Sequence, residues 1–148
     1  KVYQQACPMW VPIIENRVYN TQGAHFFVEQ DLNALFAKSG KIDTLLLGCT
    51  HYPFIQPLLE QICQNNANPE PVEGRPSTRS DLVVSIINLA PAIARQTARL
   101  LAKNGLANNA GAMGNLSLYT SGDADRMTIQ ARQLLDSTNI PQAKKWRA

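Results

Sequence analysis

Leu45-Leu46-Leu47-Gly48-Cys49-Thr50-His51-Tyr52-Pro53 is the stretch on which the fold of this chain turns. An apolar run stops at a glycine, and a thiol, a hydroxyl and an imidazole follow before the next proline. The run Ile42–Leu47, flanked by turn residues, reads as a short buried parallel strand. Phe54–Asn65 follows as a helix with Ile55, Leu58, Leu59 and Ile62 on one face. Upstream, Phe26, Phe27, Leu32, Leu35 and Phe36 recur at helical spacing and run to a stop at Ser39-Gly40. Helix, strand and helix in succession form a crossover unit, which implies a parallel sheet and the α/β class. Ligands bind at the carboxyl ends of strands in such sheets. Cys49 stands at that end.

Outward from this core the signals are of mixed strength. Met9–Ile14 is apolar but carries Pro12 and follows Pro8, so it reads as a loop or edge segment. Gln64–Asp81 turns polar and rich in Pro, Asn and Gly, the best candidate for a boundary. Leu82–Ile87 resumes as a strand. Pro91 then opens a helix over Ala92–Lys103 that Asn104-Gly105 closes. Asn108–Asn115 reads as a loop and Leu116–Thr120 as a short strand. Ser121-Gly122-Asp123 is a turn in which Asp123 caps a helix over Ala124–Leu135. Lys144-Lys145-Trp146-Arg147 reads as a solvated tail, although a basic cluster could also touch phosphate or a membrane surface.

Composition narrows the class. The 148 residues are 45% hydrophobic and 17% charged, enough for a core of ordinary size. A net charge of +3 without aromatic-basic interleaving argues against nucleic acid as a partner. No apolar run reaches the roughly 18 residues of a membrane span. No secretory signal is expected, and three cysteines without a pairing pattern suit free thiols in a cytoplasmic setting. The chain does not open on Met, so its natural N-terminus is expected upstream.

At the Cys49 loop the residue types allow three readings. A thiol near a helix start and beside a histidine can serve as an acid/base or nucleophilic group. The following helix start could hold a carboxylate, Thr50 could add a hydroxyl, and His51 could exchange a proton. The plain alternative is a packed cysteine with a histidine capping a helix. Metal is disfavoured: Cys7, Cys63 and His25 are scattered and make no second ligand pair.

Gly48-Cys49-Thr50-His51-Tyr52-Pro53 resembles the second cysteine motif of glutamate racemase, in the aspartate/glutamate racemase superfamily. Ala6-Cys7-Pro8-Met9-Trp10-Val11-Pro12-Ile13-Ile14-Glu15 resembles the family's upstream segment that ends in an acidic residue. Tyr119-Thr120-Ser121-Gly122-Asp123 resembles its late strand and turn. The resemblance implies cofactor-independent racemisation of glutamate by two thiols on opposite faces of the α-carbon, supplying D-glutamate for peptidoglycan. Position by position, it makes Cys49 the second acid/base thiol and Thr50 the residue that binds the substrate's amino and carboxylate groups. It makes His51 the histidine that assists the thiol and Glu15 the nearby acid that tunes it. Cys7 and Cys63 take packing roles.

The departures matter equally. The family's earlier Asp-Ser-Gly segment and its first Cys-Asn-Thr motif are absent from this sequence. The family fold is two similar α/β domains with the site between them. The expectation is therefore a parallel-sheet three-layer domain plus a segment returning to a second, similar domain. Residues 1–75 would form most of the second racemase domain, and residues 76–148 the linker and the returning segment of the first. Such a chain is expected to be inactive alone and to expose the apolar faces of Leu82–Ile87 and Ala92–Leu101. The expected partners are glutamate and the N-terminal portion of the parent protein, with a homodimer left open. Aspartate as substrate, or a catalytically dead carboxylate-binding module, are the competing functions.

Overall fold

A computed structural model describes residues 1–67, 83–108, 111 and 114–146. The elements run α1 (Trp10–Glu15), α2 (Gln22–Ala37), β1 (Thr44–Leu46), a 3₁₀ turn (Tyr52–Ile55), α3 (Gln56–Ala67), β2 (Ser85–Ile87), α4 (Ala90–Lys103), β3 (Tyr119–Thr120), α5 (Ala124–Leu134) and β4 (Lys144–Lys145). The result is a mixed α/β chain with short parallel strands. β1 pairs in parallel with β2, Leu45 opposite Ile86, and β3 pairs in parallel with β4, Tyr119 opposite Lys144. The chain divides into two compact units, Lys1–Thr97 and Ala98–Ala148.

The first unit holds the core predicted around the opening stretch. Ile55, Leu58, Leu59 and Ile62 are all buried, and Leu45 and Leu47 sit under the same cover. On α2 the buried row is Ala24, Val28, Leu32, Leu35 and Phe36, while Phe26 and Phe27 face out. Thr21 caps this helix, its hydroxyl accepting from the Ala24 N–H at 3.3 Å.

Met9–Ile14 is not a loop: its residues belong to α1, with Trp10, Ile13 and Ile14 buried. Pro12 is the third helical residue. The first-turn N–H groups have no intrahelical partner, so a proline there forfeits nothing. The helix bond from Ile13 N–H to the Met9 carbonyl forms normally at 3.0 Å.

The strand expected over Leu82–Ile87 appears as β2, with Leu82 outside the described residues. Its partner is β1, so the compositional boundary near residue 75 does not separate these two strands. The stretch 68–81 also lies outside the described residues. α4 closes as expected: Gly105 has φ +66°, and the Leu106 N–H bonds back to the Leu101 carbonyl at 2.9 Å. No residue of α4 is buried.

The second unit corrects the tail reading. Lys144 and Trp146 N–H groups donate to the carbonyls of Leu118 and Thr120 at 2.8 and 2.7 Å, so main-chain pairing fixes the segment while its lysines stay exposed. Arg147 lies outside the described residues. The expected strand over Leu116–Thr120 is reduced to its last two residues, and part of the loop over 108–115 is undescribed. Asp123 caps α5 as predicted, accepting from the Arg126 N–H at 2.8 Å.

Candidate functional site at the end of β1

Cys49 follows β1 by three residues, at the strand's carboxyl end. Its Sγ lies 3.8 Å from His51 Nδ1, and His51 Nε2 lies 3.4 Å from Glu15 Oε1. Three of the residues singled out by sequence therefore form one file: thiol, imidazole, carboxylate. Glu15 is the last residue of α1, and α1 is seated by its buried Trp10. The Trp10 ring meets Tyr52 at 4.8 Å between centroids, tilted 59°. Tyr52 is the residue after His51, so the same aromatic contact aligns the acid with the imidazole.

The file has a direction. A carboxylate oxygen can only accept a hydrogen bond, so Nε2 is the ring nitrogen that carries a proton toward Glu15. On a neutral ring Nδ1 is then the bare nitrogen, ready to accept from the thiol. His51 and Glu15 are each 32% exposed. A pair that wet adds little to stability. Its use is to hold the ring in one orientation and tautomer.

Thr50 is exposed at the mouth of the loop. The helix start, expected to hold a carboxylate, is ill suited to it. The first turn is 3₁₀, Pro53 has no N–H, and the Tyr52 N–H is taken by the Cys49 carbonyl at 3.3 Å. His25 on α2 has no part in the file. Among the described residues, no group of three or more His, Cys, Asp or Glu side chains is placed to hold a metal ion.

A second, drier cluster lies beside the file, and the sequence reading missed it. Cys7, Asp31, Trp10 and Tyr52 come together there. Burial, then the Asp31 charge, pushes the Cys7 thiol up to about 12, against the smaller pull of the Tyr52 hydroxyl and Lys38. Cys7 is thus a neutral thiol at ordinary pH, its Sγ 3.7 Å from the Gln5 carbonyl. Burial likewise pushes Tyr52 to about 12, with the charges of Cys7 and Cys49 as the next causes. Burial raises the Asp31 carboxyl too. The Trp10 indole N–H opposes that shift without completing a hydrogen bond of normal geometry. A signal existed in the sequence: Asp31 lies three residues after Val28 and four before Leu35, on the apolar face of α2. Cys63 is buried in α3, as a packing cysteine should be.

This geometry defines a class: a mixed α/β protein with short parallel strands and a thiol, imidazole and carboxylate in file at a strand's carboxyl end. No family model matches the chain. A glutamate racemase 2 from Caldanaerobacter subterraneus subsp. tengcongensis is 30% identical to it over 135 residues, 91% of this chain and 44% of that protein. A glutamate racemase from Thermoanaerobacter sp. is 34% identical over the same shares. The crystal structure of glutamate racemase from Francisella tularensis in complex with D-glutamate superposes with a TM-score of 0.74 at 20% identity, over 99% of this chain and 47% of that one. The chain is a homologue of the glutamate racemases. It spans about half the length of the curated relatives it matches. No described helix is long and apolar enough to cross a membrane.

Proposed function

We propose that this chain supplies one half of a glutamate racemase, and that the parent protein interconverts L- and D-glutamate without a cofactor, in the cytoplasm, feeding D-glutamate to peptidoglycan. The carrying observation is the file Cys49–His51–Glu15 at 3.8 and 3.4 Å on a strand end of a racemase homologue. An α-hydrogen beside a carboxylate is a very weak acid, so its removal needs an aligned base and preorganised donors in a dry site. Cys49 is the thiol on one face of the α-carbon. It takes the proton as thiolate or returns it as thiol, while His51 Nδ1 exchanges a proton with it. Glu15 holds the ring, and Thr50 meets the substrate's amino and carboxylate groups.

In this reading residues 1–75 make up most of the second racemase domain, a parallel sheet covered on both faces once complete. Residues 76–148 are the link and the returning segment, with β2 counted in the sheet where it pairs. The other face of the α-carbon needs a second thiol, and in this reading it comes from the rest of the parent protein, since Cys7 takes no catalytic part in the family resemblance and Cys63 is buried in α3. The isolated chain is therefore inactive.

Circular dichroism of D- and L-glutamate incubated with the 148-residue chain at micromolar concentration tests this, and turnover would refute it. In the complete protein, Cys49→Ala should lower kcat by at least about 10²–10⁴-fold, and Cys63→Ala should leave it near normal. Equal losses would mean that the wrong sulfur has been assigned. The same assay with aspartate decides the substrate.

A further inference from the structure

We propose that Asn88 is a positioning residue for the thiol loop: its side-chain amide bridges the end of β2 to Gln56 and so sets where the turn carrying Cys49 and His51 stands. The role rests on the reading of Cys49 given above; the bridge does not.

Asn88 follows β2 directly, one residue beyond the Leu46–Ile87 pair, where the Leu47 N–H donates to the Ile87 carbonyl at 3.1 Å. It stands at the carboxyl end of its strand, as the Cys49 loop does on β1. Both ends of its amide are engaged. Oδ1 accepts from the Ala90 N–H at 2.9 Å, an Asx turn that opens α4. Nδ2 donates to Gln56 Oε1 at 3.3 Å, across 32 residues of sequence. Gln56 Nε2 in turn donates to Glu60 Oε1 at 2.8 Å. A backbone N–H only donates and a carboxylate only accepts, so the groups at the two ends of this chain leave each amide one orientation.

Gln56 is the first residue of α3. From there back to the thiol the main chain is a run of successive turns. The Gln56 N–H donates to the Pro53 carbonyl, the Phe54 N–H to the His51 carbonyl at 3.0 Å, and the Tyr52 N–H to the Cys49 carbonyl at 3.3 Å. A segment bonded this closely moves as one piece, so a shift of Gln56 reaches both His51 and Cys49. Buried Ile55 and Leu59 fix how deep α3 sits. Apolar burial is non-directional, and it leaves slide and rotation to the polar contacts.

The helix α1, which carries Glu15, is not part of that piece. The 3.4 Å from His51 Nε2 to Glu15 Oε1 is therefore the distance that the bridge controls. Once it opens, the ring is free to turn, and Nδ1 is no longer held toward the thiol.

The test is iodoacetamide labelling of the 148-residue chain at neutral pH, with the rate at each cysteine read by mass spectrometry. The thiolate is the form that reacts, and an aligned Nδ1 that takes the thiol proton favours it. Asn88→Asp keeps an acceptor for the Ala90 N–H but sets an acceptor against Gln56 Oε1. Gln56→Ala breaks the bridge from the other side, adds no charge and leaves the Asx turn in place. Each variant should slow labelling of Cys49 by about threefold or more. Each should also keep the far-ultraviolet dichroism of the parent chain and leave buried Cys63 as protected as before. In a His51→Ala background the same substitutions should change the Cys49 rate by less than about twofold. A loop that was merely loosened would expose Cys49 whether or not the imidazole is present. Three results overturn the proposal: the parent rate at Cys49 in either variant, slowing that persists undiminished in the His51→Ala background, or labelling of Cys63 in step, which would mean that α3 has come loose. Racemisation is not read, so a Cys49 that proved not to be the racemase thiol would leave this outcome standing.

Discussion

The helices α1 to α3 and the helix α4 treat their apolar residues in opposite ways. On α3, Leu59 is fully buried and Leu58 and Ile62 nearly so. On α4, Ile93 is 60% exposed and Leu100 48%, although both helices are amphipathic in sequence. Amphipathicity therefore states only that a face is meant to be covered. The residues 10–63 carry their own cover within the chain. Among the described residues, α4 leaves its apolar face uncovered.

That contrast can be broken most sharply at Leu59. Leu59→Ala should cost about 2–5 kcal/mol of stability, read by urea denaturation, and should melt α1 to α3 together. An effect under 1 kcal/mol would mean that the core is not where the burial puts it. In the second unit, Thr128 is buried and its hydroxyl accepts from the Ala143 N–H at 2.8 Å. Thr128→Val leaves that N–H unpaired and should cost about 1–3 kcal/mol, with faster amide exchange confined to residues 124–146. Asp123→Ala removes the α5 cap and should cost about 1 kcal/mol, read as lost helical dichroism.

Alkaline pH sharpens the comparison from the other side. Cys7 and Tyr52 both titrate near 12 when folded, from ordinary values of 9.0 and 10.0. Below pH 9 neither group makes stability depend on pH. Between about 9 and 12 the unfolded chain ionises while the folded one does not, so stability falls as pH rises. Cys7→Ser should make that fall shallower, measured as urea midpoints from pH 8 to 11. The smallest effect belongs to α4: Leu100→Lys should change the stability of this chain by no more than about 0.5 kcal/mol, because nothing described covers it.

Much of this was legible in the sequence, for local reasons. The spacing of Ile55, Leu58, Leu59 and Ile62 carries its own geometry, and Asp123 caps α5 with atoms three residues apart. The file from Cys49 to Glu15 was reachable only through family resemblance, since its members lie 34 residues apart in the chain and meet through the Trp10–Tyr52 contact. Proline misled the reading of α1, because its cost depends on position within the first turn. The strand at Lys144–Lys145 was invisible because two exposed lysines give no periodic signal. It forms through backbone pairing with Tyr119 and through bonds such as Arg132 Nε to the Ile140 carbonyl at 2.9 Å.

The tilted ring pair beside the thiol file gives the chain an optical handle. Trp10 is enclosed and touches Tyr52, whereas Trp146 is 61% exposed. Their fluorescence should separate into a blue-shifted and a red-shifted emission band, and only the second should yield to an aqueous quencher. Because Tyr52 directly follows His51, a change at the loop Cys49–His51 is expected to register in the blue band, giving a label-free signal of ligand arrival before any chemistry is measured.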